Sequence, residues 1–86
     1  MKTLYEIYDD SKLLAGALYE NEQVELSKTL DDGIAGASTS GEALSCIGWV
    51  CNQIQLNSTI YPANIVALSI SILKEVNKFF KGTQTF

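Results

Sequence analysis

From Ala43 to Leu73 the chain runs for 31 residues without a single Asp, Glu, Lys or Arg. All ten acids and all six lysines lie outside this stretch, in a chain of only 86 residues. A neutral run of that length has to be sunk in protein or in lipid. Lipid is the poorer reading. A spanning helix needs roughly 20 apolar residues in a row. Here the most apolar part, Ile60 to Leu73, is interrupted by Pro62, Asn64, Ser69 and Ser71, and the other half carries Asn52, Gln53, Gln55 and Asn57. The expectation is therefore no membrane span.

The run divides at Asn57-Ser58-Thr59-Ile60-Tyr61-Pro62, a cluster of turn formers that ends in the chain's one proline. Proline lacks an amide hydrogen and fixes its own φ, so it suits the first turn of a helix and not the interior. Two long antiparallel helices follow, over about 41–56 and 62–81. Thr39-Ser40-Gly41-Glu42 fits a capping box for the first, with the Thr39 hydroxyl taking the Glu42 amide and Glu42 reaching back. Leu44, Ile47, Cys51 and Ile54 make its apolar stripe, widened by Ala43, Val50 and Trp49. The second helix has two stripes, Ile65, Leu68, Ile72, Val76 and Phe79, and Val66, Ile70, Leu73 and Phe80. Lys78 and Lys81 suit the negative end of its dipole, and Gly82 would cap it in the left-handed conformation. The tail Thr83–Phe86 reads as loose.

The N-terminal third supports two readings. As a helix over 3–19, Thr3 caps, and Leu4, Ile7, Tyr8, Ser11, Leu14, Ala15 and Leu18 share one face. Asp9-Asp10-Ser11 in mid-helix and Gly16 weigh against it. As strands, Thr3–Tyr8 is rich in β-formers, Asp9-Asp10-Ser11-Lys12 would turn, and Gln23–Ser27 alternates polar and apolar. Leu13–Leu18 is poor strand material, so the helix is preferred. A shorter helix over about 22–31 puts Leu26, Leu30 and Ile34 on one face, with Asp31-Asp32-Gly33 ending it and Ile34–Gly41 as a loop. The fold class expected is mainly α, a small single-domain helical bundle. The alternative is α+β, an N-terminal β-meander packed on the same helix pair.

The chemistry in the sequence is sparse. There is no His, the usual acid, base or ligand near neutral pH. Cys46 and Cys51, five apart, point to different faces of one helix. They can neither bridge nor chelate together, and they read as buried free thiols in a reducing compartment. Neither Asp9-Asp10 nor Asp31-Asp32 has calcium-loop spacing, and Gly33-Ile34-Ala35-Gly36 is not followed by Lys-Ser/Thr as a phosphate loop would be. No catalytic residue, cofactor or metal ligand is assigned, and the chain is not read as an enzyme. Trp49 is expected to anchor the core. MKTLYEIYDD meets acids before any apolar segment forms, so no secretory signal is read and a cytoplasmic location is expected.

Charge is uneven. Eight acids (Glu6, Asp9, Asp10, Glu20, Glu22, Glu25, Asp31 and Asp32) face only Lys2, Lys12 and Lys28 in residues 1–35, and the net charge is −4. An acidic chain without Arg is a poor nucleic-acid binder. It suits a basic protein surface instead, chiefly by speeding encounter. In size, charge and helical character the chain is similar to small bacterial immunity proteins, a likeness of kind that no motif carries. It implies a protein-binding module that occludes a basic toxin or nuclease. The residues assigned to that contact are Tyr19, Glu20, Glu22, Glu25, Asp31 and Asp32. The competing expectation is a structural or regulatory homo-oligomer, a homodimer in the simplest case, built through the Val66, Ile70, Leu73 and Phe80 stripe.

Overall fold

Thr3 opens the first helix as its spacing predicts. Its hydroxyl accepts the Glu6 amide (3.2 Å), and its own amide donates to the Glu6 carboxylate (3.1 Å), a complete capping box. The computed structural model describes residues 2–83. It contains four helices: α1 (Leu4–Glu20), α2 (Val24–Ala35), α3 (Ser40–Leu56) and α4 (Ala63–Thr83), with a single 3₁₀ turn at Ser58–Ile60. There is no strand among the described residues, so the β-meander alternative falls. The two acids that argued against α1 are accommodated on its outer side. Asp10 pairs with Lys2, and Asp9 faces solvent. Ser11 is fully buried, but its hydroxyl donates to the Ile7 carbonyl one turn back (2.7 Å), so that hydroxyl is satisfied.

The helices close into a ring. α1 packs on α2, α2 on α3, α3 on α4, and α4 back on α1. Each supplies one stripe to a common core: Ile7, Leu14 and Leu18; Leu30; Leu44, Ile47, Val50 and Ile54; Ile65, Ile72 and Val76. Of the first stripe expected of α4, Ile65, Ile72 and Val76 are inside, and Leu68 and Phe79 are half-buried against them. Of the second, Val66, Leu73 and Phe80 are half-buried against the core and only Ile70 stands out, at 51% exposure. The other half of the molecule therefore covers most of what α3 and α4 need to bury.

Three boundaries differ from expectation. Asp31-Asp32-Gly33 does not end α2, which continues to Ala35 and is capped at Gly36, whose amide donates to Asp32 O (2.8 Å). Gly33 serves another purpose. A Cβ there would stand 2.1 Å from Cys46 Sγ and 2.8 Å from Cys46 Cβ, so the missing side chain is what lets α2 and α3 approach. Glu42 reaches past its expected partner to the Ser38 amide (3.0 Å), while Thr39 caps α3 through the Glu42 amide (3.2 Å). Gly82 is not a left-handed cap, because α4 runs through it to Thr83. Beyond Thr83 the tail lies outside the described residues.

Trp49 is the clear departure in the core. It is 53% exposed, on the side of α3 turned away from the core. Two residues from Ile47 and one from Val50, it sits about 200° around the axis from the first of these, so the apolar stripe cannot include it.

Candidate acidic groove on helices 1 and 2

The chain turns from α1 into α2 in three residues, and the turn is a Schellman motif. The Gln23 amide donates to Leu18 O (2.8 Å) and the Glu22 amide to Tyr19 O (3.1 Å), closing the last carbonyls of α1. The Asn21 side chain adds a bond to Ala17 O (2.9 Å). This motif needs a left-handed residue one position past the cap, where glycine is usual. Here it is Glu22, at φ 65°, the one non-glycine with positive φ among the described residues.

Ser27 fixes α2 against α1. It is buried, and its hydroxyl donates to Ala15 O across the helix pair (2.8 Å). With Leu26, Leu30 and Ile34 turned inward, the opposite side of α2 presents Val24, Lys28, Asp31 and Asp32. Together with Tyr19 from α1 and the edge of Ser27, these line a shallow open groove of about 280 Å³. Tyr19 is 64% exposed and Val24 50%, so the floor has an apolar component that no described residue covers.

Of the six residues assigned from sequence, Tyr19, Asp31 and Asp32 meet in this groove. Glu20, Glu22 and Glu25 are exposed but do not line it. Val24 and Lys28 were not foreseen. The signal was available, since with Leu26 and Leu30 inside, positions 24, 28 and 31 form the outward i, i+4, i+7 row of the same helix. Between Tyr19 and Asp32 there are five acids and one lysine. Lys28 makes no ion pair with a described residue, so the field over the groove is negative.

The placement of these acids costs stability. Glu22 occupies a left-handed position, which for a residue bearing a Cβ is unfavourable by about 1 kcal/mol. Asp31 and Asp32 stand near the C-terminal end of α2, where the dipole is negative and no basic residue compensates.

Other chemistry is quiet. Cys46 and Cys51 are both free. Cys51 is fully buried, and burial pushes its thiol up to about 12. Burial raises Cys46 as well, and its Sγ lies 3.5 Å from Thr29 O. Among the described residues no group of three or more His, Cys, Asp or Glu side chains could hold a metal ion, and no helix is long and apolar enough to cross a membrane. Comparison with protein-family models, curated proteins and solved structures finds no match to this chain.

Proposed function

We propose that this protein is a small acidic binding module that acts by occupying a basic protein surface in the cytoplasm, without catalysis, in the manner of an immunity or antitoxin-type inhibitor. The observation that carries this reading is the cost just described. Asp31 and Asp32 line an open groove at the end of α2 where the helix dipole penalises them, and Glu22 stands strained in the turn that leads into that helix. Sites at which local structural rules are broken are where function is to be sought.

The groove suits a side chain of a partner better than a free small molecule. Its volume of about 280 Å³ falls at the low edge of the roughly 300–1,000 Å³ of small-molecule sites, which also enclose their ligands. A Lys or Arg entering it would lay its aliphatic stem along Val24 and the Tyr19 ring and carry its charge to Asp31 and Asp32. Glu20, Glu22 and Glu25 would steer the approach.

The test is association kinetics against the basic proteins that the wild-type chain retains from its native cell at low salt. The double variant Glu22→Lys, Asp32→Lys should lower the association rate at least tenfold or so, and rising salt should erase most of that difference. Lys28→Glu should act in the opposite sense. Binding unchanged in both variants would end the proposal.

A further inference from the structure

On the side of the molecule away from the groove, α3 and the start of α4 present a second exposed surface, and it is apolar. Trp49 (53% exposed) and Leu56 (77%) lie on the outer face of α3, with Ile60 (63%) just beyond its end. Ile70 (51%) stands on the edge of α4 nearest α3, next around the helix from Leu73, which would touch a Cβ at Gly48. Every residue of this face from Ser45 to Ile70 is uncharged. We propose that the face is a self-association surface, and that its occupant is a second copy of this chain.

Charge selects the occupant. Each copy carries a net −4, with eight of its ten acids in residues 1–35, which form α1, α2 and the segment before them. Two copies approaching through those helices would set acid against acid. Approaching through the outer face of α3 they juxtapose no like charge at all, and the acidic helices stay on the far sides. A basic partner would gain nothing from this neutral face, and the groove already offers it a better one.

The spacing on α3 fits two-fold pairing. Trp49 and Leu56 are seven residues apart, two turns or about 10.5 Å along one face. A two-fold axis passing between Asn52 and Gln53 lays the two α3 helices antiparallel and seats Trp49 of each copy on Leu56 of the other. The amide side chains then meet at the centre, where they can pair with each other. Trp49 exposes about half of a side chain that can bury up to roughly 250 Å². The whole patch is on the order of 500 Å² per copy, the size of the largest apolar patch on a typical monomer and near the lower limit for a specific interface. The dimer is therefore weak and reversible, forming at roughly 10–100 µM. Both acidic grooves remain open in it.

Trp49 is the only tryptophan, so it reports on its own surface. Sedimentation equilibrium and tryptophan emission are followed together from about 10 µM to 1 mM, the range that a patch of this size calls for. The mass should rise from 9.4 kDa toward twice that value while the emission moves to the blue. Leu56→Glu should hold the mass at the monomer with unchanged helical circular dichroism, since Leu56 is exposed and contributes little to the core. Asn52→Cys, placed next to the axis, should cross-link to itself under mild oxidation, and Ser45→Cys should not. A monomer throughout the range overturns the proposal. So does a dimer that survives Leu56→Glu, or a monomer whose Trp49 emission shifts only when phosphatidylcholine vesicles are added, which would assign the face to lipid.

Discussion

Alanine at Gly33 and alanine at Gly16 should move stability in opposite directions, although both are glycine-to-alanine changes inside helices. Helix propensity favours alanine over glycine by about 1 kcal/mol in either place. Around Gly16 there is open space, with no atom within 4 Å of the added methyl apart from its chain neighbours and the backbone of its own helix. Gly16→Ala should therefore realise most of that gain, raising Tm by roughly 4–8 °C for a chain of this size. At Gly33 the methyl would sit 2.1 Å from Cys46 Sγ and 2.8 Å from Cys46 Cβ. The sulfur could rotate away, but the Cβ is fixed to the α3 backbone, so the two helices must part. Overpacking of this kind costs about 1–3 kcal/mol or more. After the propensity gain of about 1 kcal/mol is set against it, the net loss is up to about 2 kcal/mol, a drop of up to roughly 16 °C in Tm. The assay is urea unfolding followed by circular dichroism, with an unchanged m-value as the check on two-state behaviour. Cys46→Ala in the Gly33→Ala background removes the nearer atom and should recover part of the loss, giving a coupling of about 0.5–2 kcal/mol in the double-mutant cycle. If Gly33→Ala is as stable as Gly16→Ala, or if the cycle shows no coupling, the close approach of α2 and α3 at this point is not what the glycine provides.

Two further outcomes follow from geometry already described. Glu22→Gly should raise stability by about 1 kcal/mol, because glycine enters the left-handed position of the Schellman turn freely; thermal melts showing a loss would remove the strain argument. For Cys51 the folded-state value of about 12 lies above the ordinary 9.0. Below pH 9 both folded and unfolded chains hold the proton and the thiol has no effect on stability. Above it the unfolded chain releases the proton first, so stability falls as pH rises, by up to about 1.4 kcal/mol per unit from this group. Urea melts from pH 8 upward should show that fall, and Cys51→Ala should flatten it; an equal fall in the variant would place the alkaline sensitivity elsewhere.

The α3 and α4 helices were legible because an uncharged run with a single proline and a clear cap leaves few alternatives, and the inward faces of α1 and α2 were legible from periodicity. What misled was the reading of single residues by type. Gly33 after two aspartates looks like a helix stop, yet it is a contact residue, and its reason lies 13 positions away at Cys46. Trp49 reads as a core anchor that widens the apolar stripe of α3, although its angle around the helix faces it outward. Ser27 and Ser69 are buried with hydroxyls bonded to backbone carbonyls at 2.8 and 2.7 Å, a solution that an apolar pattern does not reveal. At the groove, the acids were found by charge alone. Val24 and Lys28 needed the phase of the helix expected over 22–31, whose outward row they share with Asp31.

The closed ring of helices also sets the order of events when the chain folds. Three of its main seams join helices that are consecutive in sequence and linked by short turns, so they can form by local search. Such topologies reach the native state in microseconds to milliseconds. The α1–α4 seam is different, since it must wait until most of the polypeptide has been brought round to meet its own beginning. Side chains there, Lys2 and Glu75 among them, belong to the last part of the barrier crossing, and changes to them should quicken unfolding far more than they slow folding.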